Sequence, residues 1–344
     1  MQKLVLPAFL FLSLNTLAQQ KPQYSQYMMN NYILNPAISG IEDYTDLKTS
    51  YRNQWTDFPG APVTYYLSGH WAMGKPDRTS SGPRPYISKT IRRTSDPSPV
   101  FKGSPRVPGH HGVGFQFISD KIGQSTMNSL GLTYAYHIPL TAAVKLSLGA
   151  LVGISQYTFS FDNLTVKDNP DPAIYNGKLR AIQPQLNLGA WLYSRNFFLG
   201  LSGNNMIFEN FNYSVSDSNT PNPYVWLGST YTQYYVTTGF RQELGEFWSV
   251  VPSVLLKRVR QAPLSYDVNI KAMYNNRFWF GASYRRNDAV VGLVGVNINS
   301  NLNLSYSYDY TLSGLNDRSK GSHEIVIGLM LHNKQKLLCP QNLW

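Results

Sequence analysis

Cysteine is nearly missing from this sequence of 344 residues, which contains only Cys339. A single cysteine excludes an internal disulfide framework and a cysteine-based zinc site. Long apolar runs are also missing, because no stretch of about 18 apolar residues follows the first twenty residues. The sequence therefore predicts no membrane-spanning helix in the exported chain.

Motifs of common enzymes are missing as well. The chain has no GxSxG, HExxH, P-loop or GxGxxG sequence that opens a helix, and these carry hydrolase, metalloprotease and nucleotide chemistry. His110 and His111 are adjacent, and on an extended chain their side chains point to opposite sides, so they are not expected to share a metal. We predict a non-enzymatic protein with no catalytic residue, cofactor or metal. A Ser-His-acid arrangement stays open, since geometry alone identifies it.

The first twenty residues have the pattern of an export signal. Lys3 precedes an apolar run from Leu4 to about Leu17, and small residues lie before Gln19. This order is typical of a secretory signal peptide, and the run is short for a membrane anchor. Residues 1–18 are therefore predicted to be a signal peptide that is removed on export.

Alternation of apolar and polar residues dominates the rest of the chain. In Asn301–Leu312 every second residue is Leu or Tyr, and a period of two is typical of a strand with one apolar and one polar face. A soluble sandwich buries the apolar face, whereas a membrane barrel turns it to lipid. Such runs, mostly long enough to cross a bilayer at a tilt, start near Leu47, Pro62, His111, Gln124, Val144, Gln183, Asn196, Thr230, Glu246, Pro263, Arg277, Asp288, Ser300 and Ser322.

The lengths of the connections distinguish the two folds. If the chain starts in the periplasm, the long connections at Ser160–Ile182, Met206–Ser229 and Ser313–Gly321 all lie outside the cell. The short turns then lie inside, at Pro139–Ala143, Ser194–Arg195, Gly245, Asn275–Asn276 and Ser300. Outer-membrane barrels show this asymmetry. We predict an all-β, transmembrane antiparallel β-barrel of about 14 strands over residues 47–332, with outer-membrane lipid against its apolar face.

Residues 19–46 precede the barrel and are predicted to be a periplasmic or plug segment. Tyr24, Tyr27 and Asn31 have helix-like spacing, and Pro36 disfavours the α conformation at Asn35. Two interpretations are open. The segment caps or enters the barrel lumen, or it is an ordinary periplasmic cap on the first strand.

The polar faces of the strands are predicted to line a lumen. Fourteen strands enclose a modest lumen, and charges are tolerated there, whereas on the lipid face they cost roughly 2–4 kcal/mol near the midplane. We favour a filled interior over a diffusion channel or transporter for small solutes. The predicted lumen or plug residues are Tyr24, Tyr27, Asn31, Arg52, Lys145, Asp267, Lys271, Arg285, Asp309 and Glu324. Arg285 is also expected to pair with Asp288 across a tight outer turn.

A basic insertion rich in Pro and Ser occupies residues 74–110, on the periplasmic side of the predicted barrel. It is either a solvated flexible insertion or a docking arm for an acidic periplasmic partner. Nucleic acid is not an expected partner, because the chain is exported. Residues 333–344 are predicted to be a periplasmic tail. The candidate partner-binding residues are Lys75, Arg78, Arg84, Lys89, Arg92, Arg93, Lys102 and Arg106.

Several segments carry a family resemblance. YSQYMMNNYILNPAISG, SYRNQWTDFPGAPVTYYLSGHW, HHGVGFQFISDKIG, VTTGFRQELGEFWSVVPSVLLK, FGASYRRNDAVVGLVGVNIN, LSYSYDYTLSGL and the ending CPQNLW occur in order along the chain. Together they resemble the PorP/SprF family of Bacteroidota outer-membrane proteins. The resemblance implies a barrel of the type IX secretion system, with a role in protein export or gliding. It also implies partners among the periplasmic ring proteins and lipoproteins and a large secreted adhesin.

Overall fold

The computed structural model of the chain describes residues 23–75, 109–141, 143–160, 178–207, 210–215, 224–260, 262–314 and 319–333. At 210–215 and 224–229 the description covers the backbone alone. Strands dominate the described residues, and helical structure there is limited to three short 3₁₀ turns near the start.

The described residues contain seventeen strand segments. They are β1 (Thr45–Asn53), β2 (Val63–Met73), β3 (His110–Ile122), β4 (Ser125–Pro139), β5 (Lys145–Ser160), β6 (Lys178–Tyr193), β7 (Phe197–Asn204), β8 (Asn210–Val215), β9 (Tyr224–Ser229), β10 (Gln233–Phe240), β11 (Gln242–Leu244), β12 (Trp248–Val259), β13 (Ser265–Tyr274), β14 (Phe278–Arg285), β15 (Ala289–Asn297), β16 (Leu302–Thr311) and β17 (Ser322–Leu331).

These segments form fourteen antiparallel strands in one closed barrel. β7 and β8 both pair with β6 and together make one strand. β9, β10 and β11 make another, which pairs first with β8, then with β7 and β12. The barrel closes where β17 pairs with β1, from Thr45↔Leu331 to Asn53↔His323. The predicted barrel of about 14 strands is confirmed, and closure leaves no unpaired sheet edge among the described strands.

Two predicted connections were too long. Ser160–Ile182 was predicted as a connection, but β6 already begins at Lys178. Met206–Ser229 was also predicted as a connection, whereas β8 and β9 lie within it and pair with each other. The alternation was present in Asn210–Val215, where Phe, Tyr and Val follow Asn, Asn and Ser. A bend at Asn205, with a φ of 58°, separates this segment from β7.

The apolar faces of the strands point outward. In β16, Tyr306 and Tyr308 are 39% and 37% exposed, whereas Ser305 and Ser307 are 2% and 0% exposed. This is the arrangement of a membrane barrel, in which lipid surrounds the apolar face and polar groups line the interior. None of the helices in the described ranges is long and apolar enough to cross a membrane.

A charge on the outward face should destabilise the barrel in proportion to its depth. Leu132 is 68% exposed at the centre of β4, so Leu132→Arg is expected to cost about 2–4 kcal/mol of folding free energy in lipid vesicles. Leu244 is exposed at the barrel end, and Leu244→Arg is expected to cost about 0–1 kcal/mol. Equal costs in a denaturant titration would argue against the assigned lipid face.

Residues Gln23–Tyr44, called the plug below, lie inside the barrel. Three 3₁₀ turns, Tyr27–Met29, Asn31–Ile33 and Pro36–Ile38, replace the continuous helix that the spacing suggested. Asn30 breaks the helix with φ −143° and ψ 63°, and Asn35 is extended before Pro36, as predicted. Of the two predicted placements, the segment takes the one in the lumen.

Candidate functional site: the plugged lumen

The plug runs along the barrel from one end to the other. We call the end with the 54–62, 286–288 and 312–321 connections the loop end, and the end with the 194–196 and 275–277 connections the turn end. Ser25 contacts Glu324 at the start of β17, near the loop end. Ser39 contacts His137 near the end of β4, at the turn end. The plug then leads directly into β1.

A cluster of five charged side chains holds the plug at the loop end. We define the charge cluster as Arg52, Asp267, Arg285, Asp309 and Glu324, each 4% exposed or less. Arg52 pairs with Asp309 at 2.8 Å and with Glu324 at 3.2 Å. Arg285 pairs with Asp267 at 3.3 Å and with Asp309 at 3.5 Å. Two cations and three carboxylates thus alternate across the lumen wall.

The plug completes the hydrogen bonds of this cluster. The Ser25 backbone N–H donates to Glu324 Oε2 at 2.8 Å, and its hydroxyl donates to Asp309 Oδ2 at 2.5 Å. Arg52 Nη1 donates to Ser25 Oγ at 2.6 Å. Gln26 Nε2 donates to the Glu324 carbonyl oxygen at 2.8 Å. Buried charges are tolerated when their lone pairs and protons are used in this way, so the plug and the cluster stabilise each other.

Hydrogen bonds continue along the middle of the plug. Asn269 donates to the Tyr27 hydroxyl. Asn30 donates to Ser68 at 2.9 Å, and Gln116 donates to the Tyr32 carbonyl oxygen at 2.7 Å. These contacts involve polar side chains of β2, β3 and β13, which the alternation places on the inner face. The plug is therefore held on several sides at once.

Three histidines hold the plug at the turn end. His137 Nε2 lies 2.7 Å from the Ser39 carbonyl oxygen, and His110 Nε2 lies 3.0 Å from the Gly40 carbonyl oxygen. The Gly40 N–H donates to His70 Nδ1 at 3.3 Å. His110 and His137 stack with ring centroids 4.2 Å apart. His110 is 3% exposed, whereas His111 points outward and bonds the Tyr134 hydroxyl, so the adjacent imidazoles do face opposite sides.

Glycines in the barrel wall allow the plug backbone to approach closely. A Cβ on Gly149 would lie 2.5 Å from the Ala37 Cα and 2.7 Å from the Pro36 carbonyl oxygen. Next to it, Ser147 donates a hydrogen bond to the Ala37 carbonyl oxygen at 2.6 Å. A larger residue at position 149 would therefore push the plug away from the wall.

Gly149→Val is expected to destabilise the barrel by about 1–3 kcal/mol through overpacking, and to make the plug more accessible to protease. The matched control is Gly292→Val in β15, because a Cβ at Gly292 meets no atom within 4 Å. Limited proteolysis and denaturant titration of both variants measure the two effects. Similar behaviour of the two variants would contradict the close approach at Gly149.

The structure brings the predicted lumen residues into the barrel interior. Tyr24, Tyr27 and Asn31 belong to the plug, and the charge cluster and Lys271, at 3% exposure, line the wall. Lys145 is half-buried at the turn end of β5. The predicted pair across the outer turn is present, with Arg285 and Asp288 at 3.1 Å. The sequence analysis did not identify Ser25, His110 and His137 as lumen residues. The two histidines lie at inward positions of the alternation in β3 and β4.

The predicted partner-binding residues lie almost entirely outside the described residues. Lys75 is the exception, and it pairs with Asp43 at 2.5 Å and donates to the Ile41 carbonyl oxygen at 2.8 Å. The start of the basic insertion, at Lys75, is thus bonded to the end of the plug. Arg78, Arg84, Lys89, Arg92, Arg93, Lys102 and Arg106 lie outside the described residues.

One exposed ion pair joins two connections at the loop end. Lys320 lies 2.6 Å from Asp57, and the hydrogen bond with this carboxylate raises the pKa of Lys320. Backbone hydrogen bonds run beside it, from Thr56 N–H to the Gly321 carbonyl oxygen and from Lys320 N–H to the Thr56 carbonyl oxygen. They extend the β1–β17 closure beyond the strands.

The closed wall, the apolar outer face and the filled lumen define an outer-membrane β-barrel. Residues 16–329 match the family described as "Type IX secretion system membrane protein PorP/SprF". The chain therefore belongs to the PorP/SprF family of type IX secretion membrane proteins, as the sequence resemblance predicted. Family and fold together place the protein in the outer membrane.

Solved structures similar to this chain include three of low sequence identity. The toluene transporter TbuX of Ralstonia pickettii is 10% identical, with 89% of this chain and 93% of that chain covered and a TM-score of 0.44. A FadL homologue of Pseudomonas aeruginosa is 10% identical, with 86% and 91% covered and a TM-score of 0.45. The NalP translocator domain of Neisseria meningitidis is 10% identical, with 83% and 86% covered and a TM-score of 0.43. These likenesses concern the fold alone. Comparison with curated proteins gives no significant match.

Proposed function

We propose that this protein is a non-enzymatic outer-membrane component of the type IX secretion system. It supports protein export or adhesin display by binding periplasmic ring proteins, cargo or both, and does not conduct solutes. The observation that carries this proposal is the plug, which is hydrogen-bonded along the lumen from Ser25 to Gly40. A barrel filled by its own chain offers its rims and loops to partners.

The rim at the turn end is the proposed partner surface. In the proposed orientation this end faces the periplasm, because its other connections between described strands are short and the N-terminal export signal is removed there. The insertion of residues 74–110 leaves the barrel at the same end, with eight basic and two acidic side chains in 75–111. A basic arm suits an acidic partner through long-range attraction. The Lys75–Asp43 pair supports a link between this arm and the plug.

A deletion strain and tagged forms of the barrel test this proposal. A deletion strain should lose specific proteins from its surface proteome, and a tagged barrel should capture periplasmic partners on crosslinking. The seven basic residues between 78 and 106 are then replaced by glutamine, which preserves the length of the insertion. We expect weaker capture from this variant and unchanged capture from a variant with Ser80, Ser81 and Ser88 replaced by glutamine. Unchanged partner recovery after the basic replacement would eliminate the docking arm, and an unchanged surface proteome on deletion would contradict the secretion role.

A further inference from the structure

The outer wall of the barrel has a belt of cationic side chains at the loop end. Each of these side chains is exposed, at an outward position near a strand end or in the turn that follows. Charges on the lipid face are costly at the bilayer midplane and cost little near the interfaces, so the belt lies at the depth of lipid headgroups. We define the cationic belt as Lys121, Lys178, Arg180, Arg258, Arg260 and Arg286.

Two members of the belt, Arg258 and Arg286, lie close together on the wall. Leu256 of β12 is opposite Tyr266 of β13, and Arg258 lies two positions beyond Leu256 on the same outward face. The Arg286 N–H donates to the Tyr266 carbonyl oxygen at 3.1 Å. The Arg286 guanidinium lies over the Tyr266 ring, 5.6 Å from its centroid, so this side chain extends over β13 toward β12. The two arginines therefore lie on either side of Tyr266.

The carboxylates near these arginines are bonded to another cation. Asp288 is two positions from Arg286, but it pairs with Arg285 at 3.1 Å. Asp267 points inward and pairs with Arg285 at 3.3 Å. Within the described part of the chain, neither Arg258 nor Arg286 forms an ion pair. Two exposed guanidinium groups are thus available to an external anion.

The wall next to these arginines, toward the turn end, is apolar. Val268 and Ile270 of β13 point outward and are 46% and 52% exposed, and Val254 of β12 is opposite Val268. Tyr234 of β10 lies opposite Arg258 and is 53% exposed. Tyrosine is enriched where headgroups meet hydrocarbon. A ligand here meets cations at one end and apolar surface at the other, which matches a lipid with an anionic headgroup better than a free anion.

We propose that Arg258 and Arg286 bind the phosphate of an outer-leaflet glycolipid, lipid A, whose acyl chains lie against the apolar wall beside them. Arginine suits this role, because its planar guanidinium bonds a phosphate in bidentate geometry. The choice of lipid rests on the proposed orientation, which places the loop end in the outer leaflet. It does not rest on the proposed role in secretion, since the site is formed by the barrel wall alone.

Native mass spectrometry of the full barrel in detergent micelles tests the site by counting bound lipid. The probes are diphosphorylated lipid A, the same lipid A with its phosphates removed, and phosphatidylglycerol. Diphosphorylated lipid A is expected to bind, and the dephosphorylated form should bind about tenfold more weakly or worse, because charge-assisted hydrogen bonds are lost. Equal binding of the two forms overturns a phosphate site. Tighter binding of phosphatidylglycerol than of lipid A overturns the assignment to the outer leaflet.

Two double variants locate the site on the wall. Arg258→Gln/Arg286→Gln is expected to weaken binding of diphosphorylated lipid A about tenfold or more. The matched control is Arg195→Gln/Arg277→Gln, which removes the same charge from exposed positions at the turn end, where Arg277 lies over the Phe278 ring at 6.0 Å. This control should bind as the wild type does.

Equal binding by the two double variants overturns the assignment to Arg258 and Arg286. Both substitutions in the first variant are on the exposed surface, and a heat-dependent shift on a denaturing gel shows whether its barrel is closed. If it is not closed, the single variant Arg286→Gln decides, and unchanged binding by that variant contradicts the proposal.

Discussion

A barrel that lacks Gln23–Ile38 should conduct ions in planar bilayers, whereas the wild-type barrel should give flat current traces. The plug occupies the lumen with buried residues such as Tyr27, Tyr32 and Ile38, which are 2%, 1% and 0% exposed. Its removal leaves a bore lined by polar side chains, because the inner face of each strand is polar. The expected readout is stepwise conductance from single inserted barrels.

The control for this deletion removes as many residues from the basic insertion, at 82–97. That variant should remain silent, since the deletion leaves β2, which ends at Met73, and β3, which begins at His110, complete. A heat-dependent shift on a denaturing gel shows whether each variant still forms a closed barrel. Steady conductance by wild-type protein would contradict the plugged lumen and would favour the diffusion channel. Silence of a folded deletion variant would show that other parts of the chain close the bore.

The strands and their faces could be predicted because a membrane barrel imposes the same two-residue period on every strand. Lipid on one side and polar groups on the other produce an alternation that can be recognised in each strand by itself, without knowing which strands pair with it. Tyr306 and Ser307 illustrate this, since their opposite exposures follow directly from their adjacent positions. An even number of such strands allows the first and the last, β1 and β17, to pair antiparallel and close the barrel.

The arrangement of the lumen could not be predicted, because its partners are distant in sequence. Arg52 and Glu324 are 272 positions apart, and they meet only because β1 pairs with β17 in a register that places them opposite each other. Ser25 lies 284 positions from Asp309, its hydrogen-bond acceptor. Spacing in the sequence identifies these residues as polar and inward, and the path of the plug decides which of them make contact.

Loss of the Arg52 guanidinium should be the most damaging single substitution in the lumen. Arg52 is 1% exposed and is bonded to Asp309, Glu324 and Ser25. Arg52→Met keeps much of the volume but leaves carboxylates buried without this cation. Removing one partner of a buried ion pair typically costs 3–5 kcal/mol, and we expect a loss of about that size in the free energy of unfolding. Denaturant titration in lipid vesicles measures it.

A second substitution should recover part of this loss. In Arg52→Met/Glu324→Gln the buried charge of Glu324 is removed, while the amide oxygen can still accept from the Ser25 N–H, so the double variant is expected to be more stable than Arg52→Met alone. Arg195 is exposed in the turn before β7, and Arg195→Met should change stability by less than about 0.5 kcal/mol. If Arg52→Met costs no more than Arg195→Met, the charge cluster does not hold the plug. If the double variant is instead the less stable of the two, Glu324 contributes through its own contacts to Ser25 and Gln26 and not through its pair with Arg52.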